Sequence, residues 1–374
     1  MSASTLIEAA RLVDGAGHDG PGWLLVRDGR IADAGAGPAP DRAAATRLRL
    51  DTVIPGFVDT HVHGAVGVDF ATPGLDPEPA VAHHARAGST RVVASLATGA
   101  WGSTTRRLRE LAPLVADGTL AGLHLEGPFL SPARRGAHDP SLLRAFAPGD
   151  VDEALAAADG ALSMVTIAPE LPGALPAIRA FVAAGVVVAI GHTDAPADVV
   201  RQAVDAGASA ATHVFNGMPP LHHRSAGPVG VALSTDALVL ELIADGHHVD
   251  DTAVDVVRAA ARGRYALVSD AMSATGLADG SYELAGSAVV VADGVAMLAD
   301  GSSLAGSTTP VGGAVARLLD RGVPLDEVVA ATSATPARSL GLADPALVAG
   351  ARADLVELRG ARVARVMGGG SWLA

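Results

Sequence analysis

The chain contains no cysteine. Disulfides and thiolate metal ligands are therefore excluded, and any metal site must be built from histidine and carboxylate. Aromatic residues are scarce, at 3% against an apolar fraction of 49%, so the core must be made of Val, Leu, Ile and Ala. Basic residues are outnumbered, 27 to 40, and the net charge of −13 argues against a general nucleic-acid or anionic-membrane partner. A small anionic substrate stays open, because one or two local Arg or His residues can hold it. No apolar run is long enough to span a bilayer. Met1-Ser2-Ala3-Ser4 lacks the basic region and apolar stretch of a signal peptide, so a soluble, cytoplasmic protein is expected. There is no internal repeat. The one biased segment is an Ala/Gly/Pro-rich loop at residues 34–45.

What is present reads as two kinds of structure. Residues 1 to about 50 carry short apolar pieces, Leu6-Ile7, Trp23-Leu24-Leu25-Val26 and Arg30-Ile31, joined by Gly-rich turns. Asp28-Gly29 between the last two is a hairpin signal. Val53 to Asp59 then enters a body in which strands and helices alternate. Strands are expected near Val58 and at Arg91–Leu96, Leu120–Glu126, Ser163–Ile167, Val186–Gly191, Ser209–His213, Val239–Ala244 and Ala266–Asp270. Helices fall between them, as at Thr104–Ala116, Ala174–Ala184 and Ala197–Ala206, and many of these segments end in Gly, as at Gly118, Gly185 and Gly207. Eight such units, with no Gly-rich dinucleotide fingerprint after the first strand, predict an α/β fold of the TIM (β/α)8 barrel type. Residues 281–300 interrupt the pattern as a β-hairpin around Asp293-Gly294, and helices return at Gly312–Arg321 and Leu325–Leu340. The closing segments Ala353–Leu358 and Val363–Met367 read as strands that complete the N-terminal ones. The expected division is a small β-sandwich domain from both termini, 1–52 and 347–374, and a barrel domain over 53–346.

The chemistry-bearing residues sit at the ends of these strands. His61-Val62-His63 follows the first, and residues i and i+2 of a strand face the same side. Glu126 ends the third at a Gly-Pro break, His192 the fifth, His213 the sixth and Asp270 the eighth. Each alone is more readily structural: His-x-His as exposed turn residues, Glu126 as a salt-bridge partner of Arg134 or Arg135, Asp270 as a further metal ligand. Five separate strands placing His, Glu or Asp at the C-terminal mouth point to a metal site, since that is the face where barrel chemistry sits. A divalent ion held by Glu126, His192 and His213 keeps open positions, acidifies water and polarises a carbonyl. Asp270 is placed to shuttle the proton to a leaving amine. His138, His247 and His248 lie on loops at the same mouth. His222-His223-Arg224 makes a local basic site in an acidic chain, which in the bland reading is a solvated turn. His124 shares strand parity with Glu126 and is read as filling the interior. His18, His83 and His84 are assigned no function.

The motifs His124-Leu125-Glu126-Gly127-Pro128-Phe129, Gly136-Ala137-His138, Gly191-His192-Thr193, Thr212-His213-Val214-Phe215-Asn216-Gly217-Met218, Ala244-Asp245-Gly246-His247-His248-Val249 and Leu267-Val268-Ser269-Asp270-Ala271 resemble the N-acetylglucosamine-6-phosphate deacetylases of the amidohydrolase superfamily. They occur in family order and span nearly the whole chain. The resemblance implies hydrolytic deacetylation of a 6-phosphorylated amino sugar by a homodimeric enzyme. By position it implies Glu126, His192 and His213 as metal ligands, Asp270 as acid/base and His138 as the group that polarises the acetyl carbonyl. Ala137, Asn216, Gly217, His248 and the loop Leu304-Ala305-Gly306 become substrate contacts, and Arg224 reaches the phosphate across the dimer. Members of the family divide at the first strand, and His61 and His63 imply a second metal. The ion is Zn, Fe, Mn or Co, which a His/carboxylate set accepts alike. The alternatives are an amidohydrolase for another N-acyl amino sugar, N-acyl amino acid or cyclic amide, and an inactive scaffold. Many cyclic-amide enzymes bridge their metals with a carboxylated lysine, and no lysine sits on a strand tip here. A scaffold predicts missing ligands, and every ligand position is filled.

Overall fold

A computed structural model describes residues 4–41 and 44–374. The chain divides into two compact units, one of residues 1–59, 84–91 and 311–374, the other of residues 60–83 and 92–310.

The first unit is organised on a seven-stranded mixed sheet. Its strand order is Ser371–Trp372, Arg362–Gly368, Leu355–Arg359, Thr46–Pro55, Ser4–Val13, Asp19–Arg27 and Arg30–Ala36. The sandwich expected from the termini is thus built on one hydrogen-bonded sheet. Thr46–Pro55 pairs parallel with Ser4–Val13 and antiparallel with Leu355–Arg359, and so joins the two ends of the chain. Its charged residues Arg47, Arg49 and Asp51 alternate with Leu48, Leu50 and Thr52, a two-residue period that marks a half-buried strand. Ile7, Leu24, Val26, Ile31, Leu50, Val53 and Leu355 pack one core. The predicted Asp28-Gly29 turn is present, with φ of +52° and +75°. The helical segment after Leu325 passes through one π-turn at Ala330–Ala334.

The second unit is built on eight parallel strands in sequence order: Val58–Val62, Arg91–Ala97, Gly122–Glu126, Leu162–Ile167, Val187–Ile190, Ala210–Ala211, Val239–Leu242 and Tyr265–Leu267. The ring closes where Asp270 N–H donates to His61 O at 2.9 Å and His63 N–H to Ala271 O at 2.8 Å. The fold is the expected TIM barrel. The fifth, sixth and eighth strands stop short of His192, His213 and Asp270, because these residues turn into left-handed backbone, φ +44°, +26° and +50°. The insert at 281–300 is one strand larger than a hairpin. Gly280–Leu284, Ser287–Ala292 and Val295–Leu298 form a three-stranded antiparallel sheet. Its inner face packs Leu284, Val289, Val291, Ala296 and Leu298 with Met272, Ala137 and Ala305. Among the described residues no helix is long and apolar enough to cross a membrane.

Candidate active site

The strand ends bring two sets of ligand atoms together at the C-terminal mouth. His61, His63 and Asp270 form one group and Glu126, His192 and His213 the other, all six buried, with the ligand atoms of each group within 4.8 Å of one another. Glu126 lies between them. Its Oε1 is 3.0 Å from His213 Nε2, 3.2 Å from His192 Nε2 and 3.5 Å from His61 Nε2, and its Oε2 is 3.0 Å from His63 Nε2. Arg134 does not pair with it. The guanidinium of Arg134 donates to Asp194 at 2.7 Å and that of Arg135 to His138 O at 3.2 Å.

Hydrogen bonds on the far side of the rings set their tautomers. His61 Nδ1–H donates to Glu241 Oε2 at 3.0 Å, His63 Nδ1–H to Ser95 O at 3.2 Å and His192 Nδ1–H to Arg134 O at 2.8 Å. Each bond leaves the Nε2 lone pair facing the cluster. The Nε2 atoms of His61 and His63 are 3.2 Å apart and those of His192 and His213 are 3.1 Å apart. Two lone pairs at that separation repel unless a cation, a proton or a metal, lies between them. His213 Nδ1 is buried without a hydrogen-bond partner among the described residues. Four imidazoles and two carboxylates with converging donor atoms fit one or two divalent ions.

The same charges appear in the titration of the cluster. Burial lowers the pKa of His61, but Glu126, Asp270 and Glu241 override it and hold the imidazole well above its ordinary value. Burial likewise opposes, and Asp270 and Glu126 carry, a rise of His63 to about 9. Burial pushes Asp270 up, and His61 and His63 bring it down to about 2. In metal-free protein, then, protons on His61 and His63 supply the positive charge that the surrounding carboxylates attract. A group whose folded pKa lies above its unfolded value contributes stability below the unfolded pKa and loses it as pH rises through the folded one. For His63 that window runs from 6.5 to about 9, a difference of roughly 3 kcal/mol. The chelated protein is expected to lose thermal stability from pH 6.5 to 9, while the metal-loaded protein does not. Melting curves across that range check this, and parallel slopes for the two forms would contradict it.

His138 is a different kind of histidine. Thr98 N–H donates to its Nδ1 at 3.3 Å, so the ring proton sits on Nε2, 3.5 Å from Glu126 Oε2. Burial lowers its pKa, Glu126 opposes and His192 adds to the fall, leaving it at about 4. It is a neutral N–H donor at neutral pH. His248 is the reverse. Burial lowers it, but its Nδ1–H donates to Asp245 Oδ2 at 2.7 Å, and that carboxylate raises it into a more cationic state.

A pocket of about 170 Å³ opens over the cluster, lined by the predicted residues His63, Glu126, Ala137, His138, His192, His213, Asn216, Gly217, His248, Asp270, Leu304 and Gly306. Ser303 and Leu284 also line it, and the sequence reading did not single them out. His61 lies beneath, fully buried. The side chain of Ala305 turns away into the insert's core. Arg224 is exposed in the turn closed by the His222–Ser225 bridge and lines no part of the pocket. His124 sits in the barrel interior, bonded to Ser95 Oγ at 2.9 Å and Thr166 Oγ1 at 2.8 Å, as its parity predicts.

Three residues of the cluster are held in strained backbone. Non-glycine residues with positive φ are rare, and each costs on the order of 1–3 kcal/mol unless its surroundings enforce it. His192, His213 and Asp270 all have positive φ, which re-aims their side chains from the strand ends into the mouth. Gly217, at φ +60°, must be glycine, because a Cβ there would stand 2.8 Å from His192 Nδ1. Glu241 was missed. A carboxylate flanked by Leu240 and Leu242 in a buried strand was the available signal.

A model of the amidohydrolase family matches residues 52–373. The N-acetylgalactosamine-6-phosphate deacetylase of Escherichia coli O157:H7 is 38% identical over 348 residues, covering 90% of this chain and 92% of that protein. The N-acetylglucosamine-6-phosphate deacetylase of Bacillus subtilis (strain 168) is 32% identical over 354 residues, covering 90% and 88%. Among solved structures, an alanine mutant of the N-acetyl-D-glucosamine-6-phosphate deacetylase of Mycobacterium smegmatis in complex with N-acetyl-D-glucosamine-6-phosphate superposes with a TM-score of 0.96 at 41% identity over 100% of both chains. The chain belongs to the amidohydrolase family, in the branch that holds the N-acetylglucosamine-6-phosphate deacetylases.

Proposed function

We propose that this chain hydrolyses N-acetyl-D-glucosamine 6-phosphate to D-glucosamine 6-phosphate and acetate. The observation that carries the reading is the convergence of two buried ligand groups, joined by Glu126, beside the neutral N–H of His138 and the carboxylate of Asp270. Glu126, His192 and His213 would hold one divalent ion, and His61, His63 and Asp270 with Glu126 would hold a second. When bound, the ion makes water acidic enough to attack at neutral pH and withdraws charge from the carbonyl. Asp270 takes the proton that the attacking water loses. It then returns that proton to the leaving nitrogen as the C–N bond breaks. His138 donates its Nε2–H to the carbonyl oxygen while charge develops there, and needs no change of protonation state to do so. Asn216, Gly217, His248, Leu304 and Gly306 surround the sugar.

The phosphate is assigned to Arg224 of a second copy in a homodimer, in the cytoplasm. What supports this is that Arg224 is exposed and lines no part of its own chain's pocket. Arg224→Ala is expected to raise KM for the 6-phosphate substrate by roughly tenfold or more with kcat nearly unchanged, the signature of lost ground-state binding. The unphosphorylated sugar should be hydrolysed equally poorly by both proteins. An unchanged KM for the phosphosugar would remove the phosphate contact. A second substrate, N-acetyl-D-galactosamine 6-phosphate, is favoured by the 38% identity to the Escherichia coli enzyme named for it. Acetate release from the two epimers under one set of conditions decides between them.

A further inference from the structure

Glu241 lies on the seventh barrel strand, Val239–Leu242, and is 2% exposed. Both of its oxygens are taken. Oε2 accepts the Nδ1–H of His61 at 3.0 Å and Oε1 accepts the hydroxyl proton of Thr60 at 2.9 Å. It belongs to neither group of converging ligand atoms and does not line the pocket, so it stands behind His61 rather than in the cluster. Removing a carboxylate from water costs several kcal/mol even after relaxation, and apolar packing gains nothing from its charge.

The backing of the ligand histidines is uneven. His63 and His192 give their Nδ1–H to neutral backbone carbonyls, those of Ser95 and Arg134. His61 gives its own to a carboxylate. A carboxylate behind an imidazole fixes the tautomer, restrains rotation of the ring and makes the opposite nitrogen a stronger donor. All three effects fall on His61 Nε2, which faces Asp270 Oδ1 and Glu126 Oε1 at 3.5 Å each.

We propose that Glu241 is the positioning residue of the second metal, controlling its retention through His61 while leaving the ion at Glu126, His192 and His213 untouched. The inference rests on the reading that His61 and His63 hold a second divalent ion. Thr60 completes the device by holding Glu241 in place, so that the short stretch Thr60–His63 carries both the support and the two histidine ligands.

The test is zinc uptake by the full-length protein. Chelated wild type, Glu241→Gln and Glu241→Leu are dialysed against a series of buffered free-zinc concentrations, and bound zinc per chain is measured. In Glu241→Gln the amide oxygen still accepts from His61 and the amide N–H₂ donates to Thr60 Oγ1, so shape is kept and charge is lost. The expected result is two zinc ions on wild type, and a second step weakened about 10- to 100-fold in Glu241→Gln with the first step unchanged. Glu241→Leu should lose the second step altogether. Melting of the chelated proteins separates folding from binding; if the leucine variant unfolds early, the glutamine variant decides alone. A wild type that takes up one zinc overturns the two-metal reading and this proposal together. Two zinc ions bound with equal affinity by wild type and Glu241→Gln would keep the two-metal reading and overturn the role of Glu241.

Discussion

Asp270→Asn is expected to lower kcat by roughly 10³-fold or more while metal binding at Glu126, His192 and His213 is kept, since proton transfer by a positioned group contributes about 10²–10⁴-fold. Asparagine keeps the size of the side chain, and the backbone bonds of residue 270, Asp270 N–H to His61 O and Ser307 N–H to Asp270 O, do not depend on the carboxylate. What is lost is the carboxylate proposed to take a proton from water and to return it. Its Oδ1 stands 3.2 Å from His63 Nε2 and 3.5 Å from His61 Nε2, at the edge of the cluster and on the pocket wall. KM should change little if substrate is held by other residues. Near-normal turnover of a folded, metal-containing variant would remove Asp270 from the acid/base role.

The second large effect is expected at Glu126. Burial raises its pKa, yet His61, His138, His192 and His213 bring it well below its ordinary value, so it is an anion in the middle of a histidine cluster. Glu126→Gln preserves volume but removes the charge that both ligand groups share. A neutral amide binds a divalent ion far more weakly than a carboxylate. The variant should therefore lose its metal on dialysis, and activity should fall with it by about 10⁴-fold or more, the order expected when water is no longer acidified. Metal analysis and acetate release on the same preparation check this. Retention of the primary metal with only a modest loss of activity would show that Glu126 is not the shared ligand.

Much of this site was legible in the sequence because barrel geometry converts strand order into proximity. His61, His63, Glu126, His192, His213 and Asp270 lie at the ends of five strands, and closure of the ring brings those ends to one mouth. The hairpin at Asp28-Gly29 and the returning C-terminal strands could be read from turn chemistry and apolar alternation. The remainder depends on information a local reading does not hold. The left-handed turns at His192, His213 and Asp270 are imposed by tertiary packing against propensity, and they cut three strands shorter than their apolar runs. Thr46–Pro55 was obscured because Val53 to Asp59 reads as one apolar entry, whereas Pro55-Gly56 breaks it into the end of a sheet strand and the start of a barrel strand. The extra strand Gly280–Leu284 has only Tyr282 and Leu284 as apolar residues, too few to stand out. Glu241 stood in plain view, but its partner is 180 residues away on another strand. Nothing in its own strand says what such a buried carboxylate meets across the barrel.

If a metal held by histidine and carboxylate on this barrel drives amide hydrolysis of a phosphorylated amino sugar, turnover must follow metal content. The most direct measurement is acetate release from N-acetyl-D-glucosamine 6-phosphate by chelated protein as divalent metal is returned stepwise, with bound metal determined in each sample. The expected result is negligible release from the metal-free protein and turnover that rises in proportion to the ion bound at Glu126, His192 and His213. Full turnover without metal, or stoichiometric metal without acetate release from this substrate or its galacto epimer, would contradict it.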